Sequence, residues 1–141
     1  MTVKFIVPGR PVGKGRPRVT RYGTYTPEKT KKYEELVRQC WREQSGQSFS
    51  GGIPLVARIN AHFPIPKGTS KKKAAEMVGK PYLHKPDADN VAKGILDALN
   101  GKAYPDDGQV MIGGSWKWYT EGEGHTAVTI EILLEDLHER T

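Results

Sequence analysis

The chain has 141 residues, with 22 Lys and Arg against 16 Asp and Glu and a formal net charge of +6. That is one domain's length, enough to bury a core without disulfides, and the single Cys40 excludes an internal disulfide and a cysteine-built zinc site. No run approaches a membrane span, and Val3–Val7 is short, carries Lys4 and runs into Pro8-Gly9-Arg10, unlike a signal peptide.

Charge is unevenly spread. Residues 1–85 hold 18 Lys and Arg against 5 acids, a net of +13, and residues 86–141 hold 4 against 11, a net of −7. A basic surface beside an acid cluster fits a protein that grips a polyanion and holds a divalent metal against it. Mixed surface charge is the plain alternative.

Thr2–Val7 reads as a strand closed by Pro8-Gly9. A loop at 10–26 carries Arg10, Lys14, Arg16, Arg18 and Arg21 among Gly, Pro, Tyr22 and Tyr25. Arg forks suit phosphates, tyrosines can stack on bases, and long loops without structure are often functional. Thr26-Pro27 reads as an N-cap with proline at the first helical position. The helix to about Gln44 has an apolar stripe at Tyr33, Leu36, Val37, Cys40 and Trp41, where Cys40 is a buried thiol and not a nucleophile.

The next strand alternates Leu55, Ala57, Ile59, Ala61 and Phe63 with Val56, Arg58, Asn60 and His62, and Pro64 and Pro66 stop it. Lys67 opens a basic stretch to Lys80 that includes Lys71, Lys72 and Lys73. Ser70 can cap a short exposed helix there, and the three lysines suit nonspecific contact with a DNA backbone. A further helix begins near Asp87–Asp89 and ends at Asn100-Gly101. Val91, Ala92, Ile95, Leu96, Ala98 and Leu99 form its buried arc, with Asp89, Lys93 and Asp97 on the flank at i, i+4 and i+8.

After the Asp106-Asp107-Gly108 turn, Gln109–Tyr119 reads as a strand with Val110, Ile112, Trp116 and Trp118 on one side, and Gly113-Gly114 signals a bulge or a close approach. Core packing is the expectation for both tryptophans. Thr126, Val128, Ile130 and Ile132 form the last strand, expected to pair with its predecessor as an antiparallel hairpin. The fold class is α/β (α+β): a small four-stranded mixed sheet packed with two main helices, in the order β-α-β-(α)-α-β-β, as one domain over 1–141.

The chemistry concentrates at Lys85-Pro86-Asp87-Ala88-Asp89-Asn90-Val91-Ala92-Lys93 and Pro105-Asp106-Asp107-Gly108-Gln109. If the link after the helix folds back over its start, one of the later acids meets Asp87 and Asp89. Such a group suits Mg²⁺, which takes hard oxygen ligands and keeps several waters. Helix capping by Asp87 or Asp89, a plain turn at Asp106-Asp107 and an ordinary ion pair for Lys93 are the structural alternatives. His84, three residues ahead of the acids, is a better functional candidate than His62.

On these residues the chain resembles the RusA family of Holliday-junction resolvases. Asp87-Ala88-Asp89-Asn90 with Lys93, then Asp106-Asp107-Gly108-Gln109-Val110, match its Asp-x-Asp-Asn and Asp-Asp-x-Gln-Val pattern. Val7–Pro11, Lys14–Arg18, Tyr25–Pro27 and Ile65–Lys67 are similar too, so the likeness covers nearly the whole chain. The resemblance implies a homodimeric endodeoxyribonuclease, dependent on Mg²⁺ with Mn²⁺ as the alternative, that cuts four-way DNA junctions by paired symmetric incisions. It implies metal ligation and catalysis by Asp87, Asp89 and Asp107, with Lys93 catalytic. Asp106, Asp97 and His84 would support them. Lys14, Arg16, Arg18, Arg21, Lys67, Lys71, Lys72, Lys73 and Lys85 are the expected DNA contacts. No membrane partner and no nucleotide cofactor are expected, and the setting would be a bacterial cytoplasm, for a host or phage protein. Other branched DNA such as flaps or forks, or structure-selective binding without catalysis, are the alternative readings.

Overall fold

A computed structural model describes residues 1–15, 18–25 and 27–133, apart from the side chains of Arg18 and Tyr25. The elements are β1 (Thr2–Pro8), β2 (Arg18–Thr20), β3 (Gly23–Tyr25), α1 (Glu28–Gln44), β4 (Leu55–Pro64), α2 (Lys71–Met77), α3 (Ala88–Leu99), a single 3₁₀ turn (Asp107–Gln109), β5 (Val110–Thr120) and β6 (His125–Ile132). Among the described residues no helix is long and apolar enough to cross a membrane. Thr26, expected as a cap, and Arg16, expected on DNA, lie outside the described residues.

Four strands form a mixed sheet in the order β1-β6-β4-β5, with β5 parallel to β4 and the other neighbours antiparallel. The expected β5–β6 hairpin is therefore corrected: β4 lies between the two. β4 is hydrogen-bonded along both edges, to β6 and to β5, and its inward residues from Leu55 to Phe63 are fully buried. The link 121–124 steps over the end of β4 beyond Pro64, a gap of about 10 Å. Gly124 makes the step possible. Its φ is +89°, and a Cβ there would stand 2.5 Å from the His62 carbonyl oxygen.

The sequence signal for a bulge is real, and it moves the tryptophans. Ala57 is opposite Ile112 but Arg58 is opposite Gly114, so Gly113 is the extra residue. An added residue reverses which face the later side chains take. Val110 and Ile112 thus share the helix-covered face with Ser115, Lys117 and Tyr119. Trp116 and Trp118 lie on the other face, where Trp116 is 40% exposed and Trp118 Nε1 donates to Asn60 Oδ1 at 2.9 Å.

Helices α1 and α3 cover the inner face. Tyr33, Val37, Cys40 and Trp41 of α1 pack with Val91, Ile95 and Leu99 of α3 over Val3, Phe5, Ile59 and Val128. Burial pushes the Cys40 thiol above its ordinary pKa, with the Glu43 charge adding to it. Leu36 packs partly buried beside this core, completing the expected stripe. The strand edges are covered. The Gln44 side-chain amide accepts from Ile6 N–H through Oε1 and donates to Ile6 O through Nε2, and Gly79–Tyr82 pairs with Lys117–Tyr119 of β5.

Candidate active site at the start of helix α3

The apolar arc of α3 docks on the sheet and fixes where its polar flank points. Asp87 holds the N-cap position in extended conformation but makes no side-chain capping bond. Its carboxylate instead faces Lys85 Nζ at 3.0 and 3.1 Å. Asp89, two residues on, pairs with Lys93 Nζ at 3.2 Å. The four side chains are all more than half exposed, from 57% for Asp87 to 84% for Lys85. Capping therefore does not account for Asp87, and both acids are open to an incoming phosphate or cation.

The entry to α3 is held rigidly. Lys117 Nζ donates to the carbonyls of His84 and Pro86 at 2.8 and 2.9 Å, and Ser115 Oγ donates to Ala88 O at 2.7 Å. Tyr82 Oη donates to Lys85 O at 3.1 Å. Three side chains thus clamp the backbone that carries Asp87 against β5. Sequence reasoning singled out none of them for this role. Lys117 and Ser115 fall on the inner face only because Gly113 shifts the strand.

The later acids do not fold back over the start of α3. Asp107 N–H donates to Asn100 Oδ1 at 3.0 Å, at the opposite end of the helix. Twelve helical residues span about 18 Å. Asp106 is a turn-former: its carboxylate accepts from Gly108 N–H at 3.0 Å, while the Gln109 side chain accepts from Asp106 N–H and donates to Ser50 O and Ile53 O. Tyr104, buried beside this end, donates its hydroxyl to Leu96 O at 2.6 Å. Burial, then the charges of Asp107 and Asp97, raise its pKa beyond the ordinary tyrosine range. Among the described residues no three His, Cys, Asp or Glu side chains are grouped closely enough to hold a metal ion. Asp87 and Asp89 still fit Mg²⁺, which commonly takes one or two carboxylates with substrate phosphates and water.

Lys14, expected on DNA, has another task. Its Nζ lies 2.9 Å from Asp97 and 3.6 Å from Glu34, and its backbone N–H donates to Asn90 O. Burial opposes its charge, but the hydrogen bond and charge of Asp97, with Glu34, outweigh it and raise the Lys14 pKa. Asp97 is thereby bound to the basic arm that follows β1 (residues 10–15) and not to the acid pair. The arm's backbone passes beside Gly94, where an added Cβ would stand in ordinary contact with Lys14 N at 3.5 Å. An open cleft of ≈ 740 Å³ between this arm and the starts of α1 and α3 is lined by Arg10, Lys14, Lys29 and Lys85.

Beyond the arm, β2 and β3 form a hairpin within the loop expected at 10–26. Arg21 at its tip stacks on Tyr22 at 5.0 Å, and Tyr22 is 85% exposed. Lys71, Lys72 and Lys73 sit on α2, which Ser70 caps by accepting from Lys73 N–H and which buries no residue. Lys67 is exposed in the turn before it. Their positions are compatible with phosphate contact. His84 is exposed, with its ring edge-on to Tyr82 at 5.4 Å.

The family model described as "Endodeoxyribonuclease RusA" matches residues 8–131. The uncharacterized protein YqaN of Bacillus subtilis (strain 168) is 36% identical over 127 residues, covering 84% of this chain and 89% of YqaN.

Proposed function

Because the chain belongs to the RusA endodeoxyribonuclease family, we propose that it resolves four-way DNA junctions by metal-dependent phosphodiester hydrolysis. Mg²⁺ is the proposed ion and Mn²⁺ the alternative. The reading places the protein with DNA in a bacterial cytoplasm, as a host or phage protein. The observation that carries it is the uncapped, exposed Asp87–Asp89 pair at the start of α3, between Lys85 and Lys93.

In this reading Asp87 and Asp89 offer carboxylate oxygens to the ion. When bound, the ion neutralises phosphate charge and activates water. Lys93, one turn along from Asp89, adds a positive charge where the phosphate becomes more negative in the transition state. The positive end of α3 favours an anion at the same place. Lys85 holds Asp87 until DNA arrives and can then move to a phosphate. The basic arm, the hairpin tip and α2 supply the sequence-independent grip that positions the strand.

A homodimer completes the scheme. Two cuts on a junction of two-fold symmetry call for two sites, one in each copy. Asp107 stands at the far end of α3 from Asp89, so a pairing that sets this end of one protomer against the partner's acid pair adds a third carboxylate. The test is a set of Asp→Asn variants. Asp89→Asn and Asp107→Asn should each abolish cutting of a junction while leaving folding and junction binding intact. Loss of binding or folding in both would argue for a structural role instead.

A further inference from the structure

We propose that the pocket between the end of β4 and the approach to α3 is a phosphate subsite for the nucleotide next to the scissile bond. The inference rests on the cleavage reading above and adds a place for the neighbouring backbone. The pocket holds ≈ 350 Å³ and is walled by Pro64, Ile65 and Pro66 on one side and by Tyr82 and Tyr119 on the other. Three donor side chains from separate segments line it: Arg10 after β1, Lys67 after β4 and His84 before α3. No carboxylate is among its lining residues. A hollow lined by three donor side chains and no carboxylate suits a phosphodiester, whose oxygens accept charge-assisted hydrogen bonds from such groups.

Arg10 is held ready. One nitrogen donates to Tyr82 Oη at 2.9 Å, and the guanidinium lies over the rings of Phe63 and Tyr82 at 5.3 and 5.9 Å. The Phe63 and Tyr82 rings are stacked at 3.9 Å, so this platform is stiff. A guanidinium has five N–H donors, and one bond to a phenol leaves a fork for two phosphate oxygens. Among the described residues Arg10 forms no salt bridge.

The subsite is also tied to the acids. Tyr82 Oη accepts from Arg10 and donates to Lys85 O, and Lys117 clamps His84 and Pro86. His84 and Asp87 are three residues apart, a span of at most about 10 Å. A phosphate seated at Arg10 and His84 therefore registers the next phosphate along the strand over Asp87 and Asp89. This makes Arg10 a positioning residue for the reaction.

The experiment replaces single phosphates near the cut with neutral methylphosphonates and measures junction binding without metal and cutting with Mg²⁺. Wild type is compared with Arg10→Gln and with Lys67→Gln, a surface change that spares the aromatic platform. In wild type one flanking methylphosphonate should weaken binding about tenfold or more, as expected for a lost charge-assisted hydrogen bond. In both variants that same position should cost little further. Independent, multiplying losses at every position would overturn the subsite. Inorganic phosphate forms a second arm: competition by it at millimolar levels, with no sensitive backbone position, would assign the pocket to a free phosphate. Failure of wild type to cut any branched DNA would overturn the cleavage reading instead, and the binding scan would still decide the subsite.

Discussion

Asp107 is tied through its backbone N–H to the Asn100 side chain at 3.0 Å, at the end of α3 away from Asp87 and Asp89. This bond fixes the turn that begins with Asp106 and separates acids that the motif reads as one group. The proposed dimer reunites them between protomers.

Mixing two inactive variants tests that arrangement. Asp89→Asn and Asp107→Asn proteins, mixed and allowed to exchange subunits, should recover nicking of a junction. Each mixed dimer then keeps one intact site, so single nicks should appear without paired cuts. If all the acids work within one protomer, every site in the mixture lacks an acid and no nicking returns.

The Lys14–Asp97 contact should stabilise the arm on α3. Lys14→Met is expected to lower unfolding free energy by about 1 kcal/mol, as for other partly exposed pairs, and Asp97→Asn by a similar amount. Urea denaturation of both single variants and the double variant measures the coupling. Additive losses would show that the pair contributes nothing as a pair. Its raised pKa keeps Lys14 charged, so this stability should be fully present below the ordinary lysine value of 10.5 and be lost as pH rises through the higher folded value.

His62 predicts a response at the acid end. Burial, then the charge of the stacked His125 at 4.3 Å, lowers its pKa below the ordinary 6.5. Above pH 6.5 the ring is neutral in folded and unfolded chains alike, and stability is fully present. As pH falls below 6.5 the unfolded chain takes up a proton that the fold resists, so stability is lost. Between pH 7.5 and 5.5, the melting temperature of wild type should fall more than that of His62→Gln. Equal slopes would remove His62 from the account.

Gly124 carries the crossing over β4. Gly124→Ala places a methyl 2.5 Å from the His62 carbonyl oxygen at a φ of +89°, and should cost roughly 1–3 kcal/mol by chemical denaturation. A variant as stable as wild type would mean that the link readily takes another path.

Much of the fold was legible because it follows periodicity. The alternation in β4, the stripe of α1 and the arc of α3 each report which side faces the core. The order of the strands was not legible. Adjacency in sequence suggests a hairpin, and nothing in the local pattern signals that β4 lies between β5 and β6. The faces of Trp116 and Trp118 depended on one extra residue, Gly113, whose effect on parity was missed although the bulge was expected. At the site, the motif located Asp87, Asp89 and Lys93 beside one another. It could not show that Asp107 is held at the far end, that Lys14 is committed to Asp97, or that Lys117, Ser115 and Tyr82 clamp the loop. The Lys117, Ser115 and Lys14 contacts join residues 27 to 83 positions apart, and local pattern carries no information about them.

The most direct test of the central claim is cleavage of an end-labelled four-way junction by the wild-type chain, with a matched linear duplex as control. With Mg²⁺ the account predicts paired nicks at symmetric positions in opposing strands, an uncut duplex, and no cutting in chelator or with Asp89→Asn. Cutting that persists in chelator or in Asp89→Asn, or a junction left intact in Mg²⁺ and Mn²⁺, would contradict it.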